Sequence, residues 1–274
     1  MPEGDTLFRA AKTLKLALVN KPVTHFVSAY AHVQAIAEDH PVVGCTITDV
    51  SAAGKHLLMQ FSNSFTLRTH MRMNGSWHLY RPGEKWKLPQ HTMRLRLEVP
   101  DFVAVGFNVP VAELVTEKQL LRGDVGKLGS DLLTDTFDVT SALHRLRERN
   151  TQPIGELLLN QRVAAGIGNV YKSETLFLCG IRPDRRGDTV SDDEVKHLYA
   201  TAAELMRANV RVGSDEGITT YFGYRRTTRA NDPSQRLWVY GRGGDACRKC
   251  GTAVAFFKQG LGARSTYFCP SCQR

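Results

Sequence analysis

Cys247-Arg248-Lys249-Cys250 and Cys269-Pro270-Ser271-Cys272 are two Cys-x-x-Cys knuckles separated by the 18 residues 251–268. Each knuckle turns tightly enough to aim two thiolates at one ion, and two of them close a tetrahedron. The separation falls within the range of four-cysteine zinc sites. The chain from Ala246 to Arg274 is too short to bury a core unaided, so one structural Zn2+ is expected to fold it. Four cysteines leave the ion no open position for catalysis. The residues between the knuckles alternate as two strands around Gly260-Leu261-Gly262, which makes a hairpin pinned at its base. Cys45 and Cys179 have no nearby cysteine partner and are expected to be small buried hydrophobes.

Upstream of this module the hydrophobic period changes twice. Leu7 to Leu18 places apolar residues at helical spacing, which predicts a first helix that holds residues 2 and 3 against a folded body. Short strands are then expected at Val23–Ala29, Cys45–Ala52, His56–Phe61, Phe65–Thr69, Ser76–Tyr80, Thr92–Val99, Val103–Phe107 and Val111–Leu114, with turn residues between them. That pattern suggests an antiparallel sandwich or barrel. Beyond residue 116 the expected elements are helices at Glu117–Arg122, Ser141–Arg149, Ile154–Leu159, Val170–Leu178 and Asp192–Asn209. The expectation is therefore an α+β multidomain protein: a helix and an antiparallel sandwich or barrel, then a helical domain, then the cysteine hairpin. Its boundaries are expected at 1–122, a linker at 123–135, and domains at 136–240 and 241–274.

The 274 residues carry 36 Lys and Arg against 27 Asp and Glu, a formal charge of +9. Such an excess favours a polyanionic partner, because neutralising phosphates releases counterions. No apolar run is long enough to cross a bilayer, and the first residues lack the features of a secretory signal. A cytoplasmic protein with no membrane partner, whose six cysteines form no disulfide scaffold in a reducing compartment, is the expectation.

Three pieces occur in order along the chain: Pro2-Glu3-Gly4-Asp5 at the start, Gln161-Arg162-Val163-Ala164-Ala165-Gly166-Ile167-Gly168-Asn169-Val170-Tyr171-Lys172-Ser173-Glu174, and the closing four-cysteine hairpin. Together they resemble the formamidopyrimidine-DNA glycosylase/endonuclease VIII family. The resemblance implies an N-terminal β-sandwich, a helix-two-turn-helix domain and a zinc finger, acting as a monomer on damaged DNA. It also implies a bifunctional DNA glycosylase/AP lyase of base excision repair.

In such an enzyme the nitrogen of Pro2, freed by removal of Met1, is the nucleophile that forms a Schiff base with the deoxyribose. A free α-amino group titrates at about 8 and is partly unprotonated at neutral pH, whereas a peptide nitrogen is no nucleophile. The resemblance gives Glu3 a general acid/base role and places Lys55 beside the lesion and its phosphate. Asn169 would hold a phosphate, with Gly166 and Gly168 letting backbone amides approach it. Arg264 would grip the flanking phosphates and serve δ-elimination. Lys127 falls where the endonuclease VIII branch has a DNA-contacting arginine, so its charge is kept and the bidentate fork is lost. Extruding a base leaves a void, and Arg72 and Met73 in the loop His70–Gly75 are the expected fillers.

Pro2-Glu3-Gly4-Asp5 favours the endonuclease VIII branch over the other, which more often begins Pro-Glu-Leu-Pro. Phe107–Val111 also lacks the Asp-Pro-Arg-Arg-Phe run of the formamidopyrimidine branch. Oxidised pyrimidines, with β,δ-elimination, are thus the expected substrates. Excision of 8-oxoguanine and a non-catalytic, zinc-dependent damaged-DNA-binding role remain open at this point.

Overall fold

Burial alternates residue by residue along the strands His25–Ser28 and Met93–Val99, whereas His56–Phe61 and Phe102–Phe107 are buried at nearly every position. The computed structural model describes residues 2–212, 220 and 236–274, with the backbone alone for 211 and 212. Met1, whose removal the expected chemistry requires, lies outside the described residues. Contacts divide the chain into two units, Met1–Lys127 and Leu128–Arg274.

In the first unit, α1 (Gly4–Leu18) is followed by β1 (His25–Ser28), α2 (Ala31–Asp39), β2 (Ile47–Ala53), β3 (His56–Phe61) and β4 (Phe65–His70). Next come β5 (Ser76–Tyr80), β6 (Met93–Val99), β7 (Phe102–Phe107), β8 (Val111–Thr116) and α3 (Glu117–Arg122). The strands form two antiparallel four-stranded sheets, β1-β6-β7-β5 and β2-β3-β4-β8. Leu95, Leu97 and Ala104 of one sheet and Leu57, Met59, Leu67 and Leu114 of the other enter a single core with Leu7, Leu14 and Leu18 of α1. On β7 the intervening residues Val103, Val105 and Phe107 face the opposite way and make a smaller cluster with Tyr80, as a period of two demands.

α1 begins three residues earlier than the apolar spacing suggests. The carbonyl of Glu3 accepts from the amides of Thr6 at 3.0 Å and Leu7 at 3.2 Å, so the helix starts as soon as a cap exists. α2 was not expected at all. Only Val33 of its nine residues is buried, so it has little apolar period to read. Tertiary bonds hold it: His32 Nε2 lies 2.9 Å from the carbonyl of Ala112, and the Gln34 side chain accepts from the amide of Ser28 at 3.0 Å. Cys45 and Cys179 are each half-buried, not fully buried as expected; both thiols reach polar partners, Pro41 O and Thr201 Oγ1.

The second unit contains β9 (Ser130–Asp131), α4 (Val139–Arg147), α5 (Ile154–Leu159), β10 (Ala164–Ala165), α6 (Asn169–Leu178), α7 (Asp192–Val212), β11 (Ala255–Gln259) and β12 (Arg264–Phe268). Asp138 caps α4 by accepting from the amides of Thr140 and Ser141. The two turns between α5 and α6 are pinned by one side chain. Gln161 Nε2 donates to the carbonyls of Leu159 and Ile167, both at 2.9 Å, while its Oε1 accepts from the amide of Gly166 at 3.0 Å. No helix of the described residues is long and apolar enough to cross a membrane.

The segment Gly123–Asp135 is tied to the inter-helix turn by β9, which pairs with β10 in parallel. Gly129 lets it approach: its amide donates to the carbonyl of Gln161 at 2.8 Å, and a Cβ there would sit 2.2 Å from the carbonyl oxygen of Val163. Backbone cannot yield to that overlap as a flexible side chain could. Gly129→Ala is therefore expected to destabilise the second unit by about 2–3 kcal/mol, read as a lower urea midpoint; a shift below ~0.5 kcal/mol, typical of surface changes, would show the approach to be looser than it stands.

Candidate active site

At the start of the first unit, Pro2 is half-buried and Glu3 has no exposed surface. Glu3 occupies the N-cap position of α1 with extended backbone, and its side chain makes no cap bond. Asp5 is equally buried, with Arg9 3.6 Å away one helical turn on. A buried carboxylate at a helix N-terminus is favoured by the amide dipoles there. α1 packs on β2 and β3, and the two-residue turn joining those strands, Gly54-Lys55, carries the candidate lysine. Gly54 has φ +57°, which a tight hairpin asks of its first central residue and glycine supplies without strain.

Behind Lys55 lies a cluster the sequence reading did not single out. His56 on β3 and His70 on β4 are cross-strand partners, their rings 4.9 Å apart and nearly perpendicular. Arg68, 7 % exposed, directs Nη1 to His56 Nδ1 at 3.1 Å. Its Nε and Nη2 meet Glu113 Oε2 on β8 at 2.9 and 2.7 Å. Asp124 stands 4.0 Å from the same guanidinium. Burial, then the neighbouring His70 and Arg68, push the His56 imidazole down to about 3, and Asp124 opposes this. Burial also lowers His70, followed by the charges of Lys55, Arg72 and Arg68.

After β4 the chain turns through Met71-Arg72-Met73-Asn74-Gly75. Met71 is buried in the core while Met73 is 57 % exposed. Arg72 takes φ +47°, a conformation non-glycine residues seldom hold, and its amide donates to His70 Nδ1 at 3.1 Å. A Cβ on Gly75 would lie 2.6 Å from Met71 O, so glycine closes this loop. Arg72, Met73 and Asn74 line a cleft of about 790 Å3 with Tyr30, Arg94, Asn108, Val109 and Pro110. Of these, Tyr30, Arg94 and Asn108 carry no motif that marks them in sequence. Lys127 is exposed at the end of a single 3-10 turn, Val125–Lys127.

In the second unit α6 starts at Asn169, with Gly168 as its cap. Asn169 is thus the first helical residue and not a cap. Its Nδ2 donates to the carbonyl of Ser265 at 2.7 Å, and its buried Oδ1 has no hydrogen-bond partner among the described residues. Ser265 follows Arg264, whose side chain is exposed at the start of β12. Asn169 and Arg264 are thereby brought together. The amide of Gly166, expected to approach an anion, is instead occupied by Gln161. Two further residues of α6 went unmarked: Lys172, wholly buried, donates to Thr266 Oγ1 at 2.5 Å, and Glu174, equally buried, accepts from the amides of Trp238, Val239 and Tyr240.

β11 and β12 form the hairpin expected between the knuckles, in register from Ala255↔Phe268 to Gln259↔Arg264. The Sγ atoms of Cys247, Cys250, Cys269 and Cys272 all lie within 4.8 Å of one another. Cys247 and Cys272 are 4.0 Å apart and Cys250 and Cys269 3.5 Å. Tetrahedral zinc with bonds of about 2.3 Å separates its sulfurs by about 3.8 Å, so the four thiols fit such an ion.

Comparison with known proteins places these features in a family. Residues 1–109 match the model of the formamidopyrimidine-DNA glycosylase N-terminal domain, and residues 128–221 that of the formamidopyrimidine-DNA glycosylase H2TH domain. The chain is 39% identical over 279 residues to a probable endonuclease 8 2 of Streptomyces coelicolor, covering all of this chain and 94% of the relative. It is 32% identical over 276 residues to the DNA-(apurinic or apyrimidinic site) lyase Nei2 of Mycolicibacterium smegmatis, covering 100% and 99%. Among solved structures, Lactococcus lactis formamidopyrimidine-DNA glycosylase, non-covalently bound to DNA containing an AP site, superposes with a TM-score of 0.81 over the whole of both chains at 24% identity.

The depressed His56 makes stability depend on pH. Between about 6.5 and 3 the unfolded chain binds a proton that the folded chain refuses. This contribution is complete above pH 6.5 and is eroded as pH falls, by roughly 1.4 kcal/mol per unit once well below that value. Urea unfolding at pH 7 and pH 5 should show the His56→Gln variant losing less stability on acidification than the parent, by about 1–2 kcal/mol; equal losses would mean that His56 is protonated in the folded state.

Proposed function

The chain belongs to the formamidopyrimidine-DNA glycosylase/endonuclease VIII family of DNA glycosylases and abasic-site lyases, and from that premise we propose that it excises oxidised pyrimidines through a Schiff base on Pro2. The observation that carries this reading is the start of the chain. Glu3 is wholly buried beside a half-buried Pro2, and α1 ties both to the sheet whose turn bears Lys55. A nucleophile and a proton donor are useful only when held in place.

Once Met1 is removed, the Pro2 nitrogen attacks C1′ of the damaged nucleotide. The N–C1′ bond forms as the glycosidic bond breaks, and the base leaves with a proton supplied through Glu3. Opening of the sugar ring gives a cationic iminium, into which electrons flow when a C2′ proton is lost and the 3′ phosphate departs. Loss of the 5′ phosphate in the same sense completes β,δ-elimination, and water releases the amine. Lys55 assists at the lesion's phosphate. Asn169 and Arg264 bind flanking phosphates, with Arg264 serving the δ step. Arg72 and Met73 enter the space left by the extruded base; an exposed methionine beside an arginine held at positive φ suits that task. Lys127 adds a backbone phosphate contact.

Catalysis is assigned to residues 1–122, and DNA binding to 136–240 and 241–274, with 123–135 as the link between them. Cys247, Cys250, Cys269 and Cys272 would hold one Zn2+, which would supply structure to the hairpin that presents Arg264 and no chemistry.

Borohydride reduction with duplex DNA containing an abasic site should trap one covalent adduct at the N-terminal residue of the processed chain, and none when Met1 is retained. Absence of trapping by processed protein would leave a DNA-binding protein without this chemistry. Glu3→Gln should slow base excision by about 10^2- to 10^4-fold. Parallel assays should favour thymine glycol over 8-oxoguanine opposite cytosine; the reverse order would assign the chain to the other branch.

Elemental analysis should give one zinc per chain. Cys269→Ser, which removes a thiol with no exposed surface, should lose the metal and duplex affinity together; full affinity in the metal-free variant would detach the hairpin from DNA binding.

A further inference from the structure

Arg68 does nothing in the chemistry above, yet it is the most heavily partnered cation beside it. A guanidinium at 7 % exposure is costly unless its donors are paired. Glu113 takes two of them, His56 Nδ1 takes a third, and Asp124 lies at 4.0 Å. The pairing has a chemical corollary. Arginine has no acceptor, so Nδ1 of His56 carries no hydrogen and a neutral ring carries it on Nε2. The same holds next door, where the backbone amide of Arg72 donates to Nδ1 of His70 at 3.1 Å.

These bonds join two loops that the proposed chemistry uses separately. His56 is the residue after Lys55. Its ring meets His70 at 4.9 Å, and His70 accepts from the first residue of the Arg72-Met73 pair. We propose that Arg68 is a positioning residue: by bridging Glu113 and His56 it fixes His56 as the Nε2–H tautomer against His70, which the Arg72 amide orients in turn, and this staple holds the Lys55 turn and the Arg72–Met73 loop in register.

The surroundings support it. His56 faces His70, Arg68 and Asp124; His70 faces Lys55, Arg72, Arg68 and Asp124. Burial and the surrounding cations disfavour protonation of both rings, and Asp124 alone pulls the other way. Protonating either ring would put a hydrogen on Nδ1 and break the bond it accepts. Without Arg68, one of the cations that oppose Asp124 would be gone and His56 Nδ1 would lose its donor, so protonation would become easier. The pairing is also specific in shape, because a lysine could serve His56 or Glu113 but has no fork to serve both.

The inference rests on the roles proposed for Lys55 and Arg72, and the experiment separates the two. Long-range 15N–1H spectra of the full-length parent protein should show His56 and His70 as Nε2–H tautomers at pH 8, with His56 still neutral at pH 5.5. Hydrogen on Nδ1 of either neutral ring, or protonation of His56 above pH 6, overturns the proposal and needs no variant. In Arg68→Met the His56 ring should no longer hold a single Nε2–H tautomer and should titrate higher than in the parent. Abasic-site cleavage at pH 7.5 should fall at least tenfold, and Arg68→Lys should recover part of it. An unchanged His56 tautomer in Arg68→Met, or cleavage at the parent's rate, overturns the proposal. Should Arg68→Met fail to fold, Glu113→Gln, which keeps the guanidinium but weakens its anchor, is expected to change the His56 tautomer and the cleavage rate in the same direction by a smaller amount. Loss of borohydride trapping in the parent, with both tautomers intact, would instead refute the Schiff-base function and leave the staple standing.

Discussion

A buried charge must find its partners inside the protein, and the second unit is organised around that demand on one helix. Nine consecutive residues of α6, Asn169 to Phe177, are buried, so its polar side chains cannot turn to water. The Glu174 carboxylate gathers the amides of Trp238, Val239 and Tyr240 and the hydroxyl of Thr220. Charge-assisted bonds of this kind are among the stronger ones a protein makes. They fix the chain that enters the first cysteine knuckle. Lys172 reaches Thr266, which in turn donates to Gln259 Oε1 at 3.1 Å, so one ammonium secures both strands of the hairpin. Asn169 then meets Ser265 beside Arg264. Four cysteines gather at the base of the hairpin, but α6 decides where its tip stands.

The first unit answers the same demand in two places. Glu3 and Asp5 are buried in the opening turn of α1, where helix dipoles offset their charge. Arg68 is buried on the outer face of the β2-β3-β4-β8 sheet, where Glu113 offsets it. The inner face of that sheet is apolar and contributes Leu57, Met59 and Leu67 to the core. Strand alternation therefore does two jobs at once on β3 and β4: their odd positions Leu57, Met59 and Leu67 build the core, and their even positions deliver His56, Arg68 and His70 to one polar face behind Lys55.

What the sequence made legible follows from the range of the interactions. Strands His56–Phe61 and Ser76–Tyr80 and helices Glu117–Arg122 and Ile154–Leu159 stand where hydrophobic period and turn residues put them, because those signals are local. The cysteine cluster was legible for the same reason, two short knuckles at a telling distance. α2 was not, since a nine-residue helix with one buried side chain has almost no period and is held by Ala112 and Ser28. The partners of Arg68 and Lys172 lie 45 and 94 residues away in the chain. Nothing local distinguishes such a residue from an ordinary surface cation, which is what arginine and lysine usually are. Gly166 shows the converse. A glycine beside a helix start invites an anion, yet a glutamine five residues earlier had already claimed its amide.

This difference in range also explains why the residues proposed for chemistry are easier to find than those that hold them. A nucleophile such as Pro2 is defined by its own atoms and its place in the chain, so a short motif can mark it. Its usefulness depends on α1 starting at Gly4, which depends on the Glu3 carbonyl meeting Thr6 and Leu7 and on Leu7, Leu14 and Leu18 finding the core. Likewise Arg264 is marked by the hairpin it sits on, but its neighbourhood with Asn169 exists because Ser265 offers a carbonyl and Lys172 secures Thr266. Substituting the holders should therefore act through geometry and leave the reacting groups chemically intact, whereas substituting Pro2 or Glu3 removes the reacting atoms themselves. The two classes of residue are separable by whether a conservative replacement restores function, since packing and hydrogen bonding tolerate an analogue and a missing amine or carboxylate does not.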